Sequence, residues 1–522
     1  MHVLPHDVQE RYRRSGAWGP ETLVSRLDAV CARAPDRIAL IDGDTHLTFA
    51  EFAARVGRIA GHLRASGVQP GDVVSWQLPN RWEAAVVHHA ALRAGAIPNP
   101  LNPTLRALEL RHIVAEARPR VFVTPAGYRG FDHLGLTRKL AAELSIPTVI
   151  GVGGGGLALE DLLAEPVEAP EPSARPADLA LLLYTSGTTS APKGVLHTHR
   201  SLLCEIDSFA LIHRLTPDDR YLCGPPVSHI AGLAYGLLAP FALGTSTVLL
   251  DRWEPSRALA SIAQHRITFM TGPPTFLQTL ADDPAVAGTD LSSFRLFSTG
   301  GASIHTAAVR RAGERLRCVV KRAYGSTEVP TLTAGLLDDD EVTRLETDGR
   351  AIGDAEIRIV DGEIWARAPE MLVGYRNAAL DPEVFADDGW FRTGDLGRID
   401  EGGRLRVTGR LKDIIIRGGE NISALELETL LAEHPGVSEV AVAGYPDERL
   451  GERVCAFVVP RAGHAFAFDD MIEHMRARAI ATHKLPERLE LRTELPKNAN
   501  GKVLKDELRA SLAAEPLGDT RA

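Results

Sequence analysis

Residues 179–195 read LALLLYTSGTTSAPKGV and are the most informative stretch of the 522-residue chain. The apolar run at 179–184 predicts a buried strand, because it is short and is followed at once by small polar residues. Those residues can offer backbone N–H groups and hydroxyls to phosphate oxygens, and Lys193 adds a positive charge. A Walker A loop would place Ser or Thr after the lysine at the start of a helix, whereas Gly194 and Val195 follow here. The stretch therefore predicts a phosphate-binding loop of another type.

Helical and strand patterns alternate on both sides of this loop. Over the first 150 residues the alternation is typical of a parallel sheet covered by helices, and a second α/β run covers 179–354. A run of glycines at 151–156 and a proline-rich acidic stretch at 165–178 predict linkers that separate an N-terminal unit from the rest of the chain. A β-rich stretch covers 355–408, and a small α+β pattern comes after it. We therefore expect an α/β protein built of several units.

The composition is that of a globular protein, with 44% hydrophobic and 24% charged residues. This balance argues against a disordered, collagen-like or disulfide-scaffold chain. Lys and Arg number 58 against 68 Asp and Glu, so the net charge is −10, which argues against nucleic-acid or anionic-membrane binding by bulk charge. A polyanion would have to be held locally, by glycine-rich loops, single lysines and a metal. The five cysteines show no CxxC spacing, which predicts reduced thiols in a cytoplasmic protein.

One uncharged segment, residues 230–250, is long enough to cross a bilayer. Its glycines and Pro240 instead favour a buried helix, a turn at 240–244 and a strand at 245–250. No signal peptide is visible at the N-terminus, because no apolar stretch follows its charges. We therefore expect no transmembrane segment.

The segment TSGTTSAPKG resembles the phosphate loop of the adenylate-forming enzymes, which include acyl-CoA synthetases, aryl-CoA ligases, firefly-type luciferases and peptide-synthetase adenylation domains. The resemblance extends over nearly the whole chain. It departs at Ser190, where glycine is commoner, and we expect that change to stiffen the loop slightly. The resemblance implies that the ATP phosphates are bound by Thr185, Ser186, Gly187, Thr188, Thr189 and Lys193.

Two further segments resemble the nucleotide site of that family. Residues 324–328, YGSTE, would bind ATP through Tyr324, Gly325 and Ser326, with Thr327 on the α-phosphate and Glu328 holding Mg²⁺, a hard ion that prefers oxygen ligands. Residues 298–302, STGGA, resemble the segment that lines the adenine and acyl sites, which assigns Gly300, Gly301 and Ala302 to ATP.

His197 and His199 have the spacing of a metal pair, but no third ligand lies nearby in the sequence, so we expect no zinc site.

Residues toward the C-terminus complete the resemblance. The segment WFRTGD implies that Asp395 binds the ribose hydroxyls, and the segment GRLKD implies that Arg410 reaches the nucleotide. Lys412 takes the family's hinge position, and the loop formed by Gly418, Gly419 and Glu420 resembles the one that meets the thiol acceptor in the CoA channel. The segment PKNANGK makes Lys502 the catalytic lysine.

The segment PPVSHIAG at 225–232 resembles the acyl pocket of acyl-CoA synthetases. It implies a pocket formed by His229, Tyr235, Ser298, Thr299 and Gly300, with His229 at the gate and counted among the catalytic residues with Lys502, Thr327 and Glu328. Amino-acid-activating relatives often carry an aspartate near this segment, and none is present here. Leucines around Tyr235 favour an apolar acid, and medium-chain, alicyclic and aromatic acids all remain open.

The resemblance implies a large composite AMP-binding domain at 1–411, with two α/β sheet subdomains and a small β subdomain, and a small mobile α+β domain at 412–522. It implies that ATP activates a carboxylic acid to acyl-AMP with release of pyrophosphate, and that CoA then takes the acyl group. Loading of a separate acyl carrier protein and adenylation without thiolation are the alternatives within the class. A non-catalytic nucleotide-binding regulator and a phosphotransferase are the alternatives outside it, and the oligomeric state stays open.

Overall fold

A computed structural model describes residues 4–185, 192–301, 306–478, 480–498 and 502–514. The helices α1 to α18 are, in order, His6–Ser15, Leu23–Arg33, Phe49–Ala65, Trp82–Arg93, Ala107–Ala117, His133–Leu144, Leu159–Ala164, His199–His213, Ile230–Gly232, Ala239–Leu243, Pro255–His265, Pro274–Asp282, Thr306–Leu316, Glu341–Glu346, Asp381–Val384, Ala424–Ala432, Phe468–Ala477 and Lys505–Ala514. The strands β1 to β24 are, in order, Ile38–Asp42, Thr45–Thr48, Val73–Trp76, Ile97–Pro100, Val121–Pro125, Thr148–Val152, Leu179–Thr185, Lys193–Thr198, Arg220–Cys223, Ser246–Leu249, Phe269–Gly272, Leu296–Thr299, Val319–Tyr324, Thr333–Ala334, Arg350–Ala351, Glu356–Val360, Glu363–Arg367, Phe391–Ile399, Leu405–Arg410, Ile414–Arg417, Glu420–Ser423, Val437–Asp447, Gly451–Pro460 and Arg488–Leu491.

The largest sheet has nine strands in the order β15-β14-β13-β12-β11-β9-β10-β1-β2. Its central strands are parallel, and β2, β14 and β15 pair antiparallel at the edges. Because Leu40 of β1 pairs with Thr247 of β10, the N-terminal residues complete this sheet. The expected separation of an N-terminal unit by the linkers was therefore wrong for β1 and β2, because β1 pairs with a strand more than 200 residues further along the chain and β2 pairs with β1.

A second, parallel sheet has the order β4-β3-β5-β6 and carries the predicted helix–strand alternation. Helix α3 begins at a capping box in which Thr48 and Glu51 satisfy each other's backbone N–H groups. It buries Phe52, Val56, Ile59 and Leu63, the apolar residues that recur at helical spacing. Two α/β sheets, as expected, thus make up most of the large body.

Two smaller β units complete the part before residue 411. Strands β7 and β8 form an antiparallel hairpin in which Thr185 pairs with Lys193, so the phosphate loop connects these two strands. Strands β16 to β19 form a four-stranded antiparallel sheet, which is the expected small β subdomain. Helices, parallel sheets and this subdomain confirm the predicted α/β fold class.

The uncharged segment 230–250 is buried within the large body, and its strand β10 lies in the nine-stranded sheet. The predicted turn at Pro240 was wrong, because α9, a π-helical segment Leu233–Leu238 and α10 run on from each other to Leu243. Pro240 lies near the start of α10, directly after the π-helical segment, and Gly244 ends the helix at φ 79°. Across the described ranges, the structure has no helix that combines the length and the apolarity of a membrane span.

The C-terminal residues form a five-stranded sheet, β21-β20-β23-β22 with β24 beside β23. Its core contains Ile415, Leu427, Val454 and Met471. Helix α16 is capped by Ser423, which accepts from the N–H of Glu426, while the Glu426 carboxylate pairs with Lys484 at 2.7 Å. All five cysteines are free thiols.

Candidate active site

A cavity of about 870 Å³ opens at the carboxyl ends of β11, β12 and β13 and is closed on one side by residues of the C-terminal part. Ligands of parallel α/β sheets bind at this edge. Most of the predicted site residues line the cavity: Thr185, Lys193, His229, Tyr235, Ser298, Thr299, Gly300, Gly301, Tyr324, Gly325, Ser326, Thr327, Glu328, Arg410, Lys412 and Lys502. Ser186, Gly187, Thr188, Thr189 and Ala302, also predicted for this site, lie outside the described residues.

The predicted phosphate loop lies between the two strands of the hairpin β7–β8. Beyond Lys193 the chain is fixed by backbone bonds, in which Arg376 donates to the carbonyl of Gly194 at 2.6 Å and Val373 donates to that of Leu196 at 2.9 Å. The Lys193 ammonium lies 5.6 Å from the centre of the Tyr375 ring. Residues 373–376 thus anchor the exit of the loop, although the sequence offered no sign of that role.

Glu328 is held in place by Tyr375, which the sequence reasoning missed. The Tyr375 hydroxyl donates to Glu328 Oε1 at 3.0 Å, and the Leu372 N–H donates to the Glu328 carbonyl at 2.8 Å. Burial, together with the Glu328 carboxylate, raises the pKa of Tyr375. The oriented Glu328 carboxylate in the cavity lining suits Mg²⁺, which usually takes one or two protein carboxylates together with substrate phosphates.

The turn that carries Thr327 is built by close backbone approaches. A Cβ on Gly325 would lie 1.9 Å from the carbonyl oxygen of Pro330, and a Cβ on Gly300 would lie 2.3 Å from that of Ala323, so neither position admits another residue. Buried His197 donates from Nε2 to the Thr327 carbonyl at 2.8 Å, and burial lowers the pKa of His197 to about 4. His197 therefore supports the YGSTE turn as a neutral side chain.

Asp395 lies just behind the cavity wall. Its carboxylate accepts the Tyr324 hydroxyl at 2.8 Å and forms an ion pair with Arg410, and its side chain is buried. Burial, and then the Asp395 charge, raises the pKa of Tyr324, which therefore stays a hydrogen-bond donor. These contacts connect three of the predicted nucleotide residues, Tyr324, Asp395 and Arg410, into one group.

Lys502 reaches the cavity from the C-terminal part of the chain. Its backbone N–H donates to Asn498 Oδ1 at 3.0 Å. Lys497 and Val503, which lie on either side, form an antiparallel β-bridge. Burial, and then the neighbouring charges of Arg410 and Lys412, lowers the pKa of Lys502 to about 8. Burial, and then the Lys502 charge, lowers the pKa of His229 to about 4. Positive charge is therefore concentrated beside the YGSTE turn in a protein of negative net charge.

The apolar end of the cavity has an aromatic wall. The Tyr235 ring stacks on Phe209 with centroids 3.9 Å apart, and its hydroxyl donates to buried Glu205 at 2.7 Å. Thr331 also bonds to Glu205, through its N–H at 3.1 Å and its hydroxyl at 2.6 Å. The network bonds the Tyr235 hydroxyl to Glu205 and leaves the Tyr235 ring in the cavity lining, an arrangement that the leucine-rich sequence did not predict.

The predicted CoA-channel residues are not brought to the cavity. Gly418, Gly419 and Glu420 form an exposed turn between β20 and β21, with φ of 60° and 90° at the glycines. In this arrangement Lys502 occupies the cavity while that turn lies at the surface. The two groups belong to the same C-terminal part, so only a movement of that part could bring the turn to the cavity.

Comparison with known proteins agrees with this geometry. Residues 27–376 match the model for "AMP-binding enzyme", and residues 426–502 match the model for "AMP-binding enzyme C-terminal domain". A medium-chain fatty-acid–CoA ligase of Escherichia coli is 33% identical over 98% of this chain and 94% of that protein. A 3-[(3aS,4S,7aS)-7a-methyl-1,5-dioxo-octahydro-1H-inden-4-yl]propanoyl:CoA ligase of Mycobacterium tuberculosis is 38% identical over 94% of this chain and 98% of that protein. The crystal structure of ATP-bound MatB from Rhodopseudomonas palustris covers 94% of this chain and 99% of its own, with a TM-score of 0.87 and 30% identity.

Proposed function

Since this chain belongs to the family of AMP-binding enzymes, we propose that it is an acid–thiol ligase that joins a carboxylic acid to AMP and then transfers the acyl group to CoA. A carboxylate resists attack by a thiol because its leaving group would be oxide, and adenylation supplies a better one. The observation that carries the proposal is the position of Lys502 in one cavity with Thr327, Glu328 and Arg410. These groups come from distant parts of the chain and line one cavity. Its volume of about 870 Å³ suits a nucleotide together with an acid.

In the first step a carboxylate oxygen of the acid attacks the α-phosphorus of ATP, and the bond to pyrophosphate breaks. The protein positions the reactants and stabilises the negative charge spread over the transition state. Lys502 and Lys193 supply positive charge, Thr327 donates to the α-phosphate, and Asp395 accepts from the ribose hydroxyls. Glu328, oriented by Tyr375, would hold Mg²⁺, whose chemistry is to neutralise phosphate charge.

In the second step the CoA thiol attacks the acyl carbon and AMP leaves. We propose that the domain beginning at residue 412 rotates about Lys412 between the steps, so that Lys502 leaves the cavity and the turn containing Gly418 and Gly419 enters it. Two consecutive glycines would let a narrow pantetheine arm pass close to the backbone. The exposed position of that turn, with Lys502 in the cavity, corresponds to the first of the two arrangements.

The acid belongs to an apolar class. Phe209, Phe276 and the ring of Tyr235 line the cavity. The buried carboxylate next to them, that of Glu205, is bonded to the Tyr235 hydroxyl rather than open to a substrate amine. We propose a medium-chain, alicyclic or aromatic acid.

We also propose that the enzyme acts in the cytoplasm, because its cysteines are free thiols, as expected in a reducing compartment.

Product analysis across a panel of carboxylic acids tests the proposal. With ATP, Mg²⁺ and a suitable acid but no CoA, we expect a single burst of pyrophosphate. Once CoA is added, we expect repeated turnovers that form AMP and acyl-CoA. Turnover with an acyl carrier protein but not with CoA would favour the carrier-loading alternative. ADP as product would indicate a phosphotransferase, and the absence of products with every acid would contradict the enzymatic proposal.

A further inference from the structure

Asn80 is a buried polar residue that connects the two α/β sheets at the cavity. It follows β3 of the four-stranded sheet, its side chain is 5% exposed, and it is not among the described residues that line the cavity. Its amide bonds to residues 223–227, at the end of β9 of the nine-stranded sheet. The loop 224–229, which joins β9 to α9, carries His229 into the cavity lining.

Three hydrogen bonds join the Asn80 amide to this stretch of backbone. Nδ2 donates to the Pro225 carbonyl at 2.9 Å and to the Cys223 carbonyl at 3.4 Å. Oδ1 accepts from the Val227 N–H at 2.8 Å. The orientation of the amide is fixed by these partners, because a carbonyl can only accept and a backbone N–H can only donate. Asn80 thus holds every second residue from 223 to 227.

The loop 224–229 has few donors of its own. Pro225 and Pro226 have no backbone N–H, so two of the groups that could close the loop internally are missing. Pro225 and Val227 are buried, where a polar backbone group needs a partner because water cannot supply one. Asn80 provides a donor for the Pro225 carbonyl and an acceptor for the Val227 N–H, and it therefore stabilises the path that this loop takes.

The backbone of His229 depends directly on the same loop. Its N–H donates to the Pro226 carbonyl at 2.9 Å, and its carbonyl accepts from the Leu233 N–H at 2.8 Å. The charge of Lys502 contributes to the lowered pKa of His229, so these two side chains lie near each other in the cavity. A shift of the loop would therefore change the position of His229 relative to Lys502.

We propose that Asn80 is a positioning residue for acid activation: its three hydrogen bonds hold the loop 224–229 so that His229 keeps its place in the cavity. Asn80 itself touches no substrate in this account and acts through His229. The proposal rests on the ligase function above, in which the segment that contains His229 receives the acid.

Substitution of Asn80 tests the positioning role. Asn80→Ala removes all three bonds and should lower kcat/KM for the acid, measured by pyrophosphate release, by about tenfold, while KM for ATP stays within twofold of wild type. Asn80→Asp keeps the shape and the acceptor for Val227 but has fewer hydrogens to donate, so it should show a smaller loss in the same direction. Unchanged kcat/KM in both variants, or equal changes for acid and ATP, would overturn the inference.

A double-mutant cycle with His229→Ala tests whether Asn80 acts through His229. In the enzyme that already lacks the His229 side chain, Asn80→Ala should lower kcat/KM for the acid by less than about threefold, because residues that act together have non-additive effects. A purely structural role would not produce this coupling. The full tenfold loss in both backgrounds would overturn the proposal.

Asn99→Ala is the matched control. Asn99 is fully buried in β4 of the same four-stranded sheet, donates from Nδ2 to Ser75 Oγ at 2.9 Å and is not among the described residues of the cavity lining. We expect it to lower the thermal unfolding temperature as Asn80→Ala does but to keep kcat/KM for the acid within twofold of wild type. An equal loss of kcat/KM in both alanine variants would assign the effect to general destabilisation and overturn the inference. Absence of pyrophosphate release in the wild-type enzyme with every acid would instead contradict the ligase function itself.

Discussion

Replacement of Lys502 by alanine should disable the first half-reaction and spare the second. Among the described residues, the C-terminal part contributes two lysines to the cavity lining, Lys412 and Lys502. Lys502 lies close enough to Arg410 for the Arg410 charge to lower the pKa of Lys502. In our account its ammonium stabilises charge that develops during attack on the α-phosphate, and it leaves the cavity before CoA enters.

The expected magnitude follows from the environment of the side chain. Loss of one preorganised electrostatic donor in a water-poor site typically lowers the rate constant by about 10²–10³-fold, or about 2.7–4 kcal/mol in the barrier. Arg410 remains in Lys502→Ala and retains part of the positive field, so the effect should not exceed that range. Thioester formation from supplied acyl-AMP and CoA should stay within about threefold of wild type.

The pH dependence gives a second measure of the same group. The charged form of Lys502 is the active one, and its pKa of about 8 lies below that of an ordinary lysine. Adenylation, measured as kcat/KM for ATP, should therefore be constant below this value and should fall as the pH rises through it. Lys502→Arg should abolish that fall, because arginine stays charged throughout the range.

The assay is pyrophosphate release for the first step and acyl-CoA formation from synthetic acyl-AMP for the second. Lys484→Ala is the matched control, because Lys484 lies in the same C-terminal part, pairs with Glu426 at 2.7 Å and does not line the cavity. Both rates of the control should equal those of wild type. If Lys502→Ala lowered both half-reactions equally, the alternation of the C-terminal domain would be refuted.

Three other substitutions have distinct expected outcomes. Tyr375→Phe removes the hydroxyl that orients Glu328 and should raise the Mg²⁺ concentration for half-maximal adenylation by about tenfold, with unchanged folding by circular dichroism; no change would exclude the positioning role. Asp395→Asn should raise KM for ATP by about tenfold or more and leave KM for the acid within twofold, and equal changes in both would count against ribose binding. Lys412→Pro should stiffen the hinge and lower thioester formation by about tenfold while pyrophosphate release persists, whereas unaffected thioester formation would remove Lys412 from that role.

The fold class could be predicted because its signals are local. Helix α3 has a capping box, a continuous apolar face and a terminal glycine within 20 residues, and strand β7 is a single apolar run. The pairing of β1 with β10 could not be predicted in the same way, since it joins residues about 200 positions apart and no local pattern specifies such a register. Pro240 was misread because a proline in sequence usually marks a turn, whereas the helical run continues through it here.

The residues that line the candidate cavity could be predicted where they belong to short motifs. Glycine at 300 and 325 is required by backbone approaches of 2.3 Å and 1.9 Å, so these motifs reflect steric necessity. Tyr375 was missed because it acts through Glu328, a partner distant in sequence. In the proposed rotation the position of the turn at Gly418 would depend on the domain arrangement, and the sequence is common to both arrangements.

The central claim, that the acid's carboxylate attacks the α-phosphorus of ATP, can be tested by isotope transfer. The enzyme is given an acid whose carboxylate carries heavy oxygen, together with ATP, Mg²⁺ and CoA, and the products are analysed by mass spectrometry. If acyl-AMP is the intermediate, the thiol displaces AMP with the bridging oxygen attached, and each AMP should carry one heavy oxygen from the acid. Label in inorganic phosphate with ADP as the nucleotide product, or AMP free of label while acyl-CoA forms, would contradict the account.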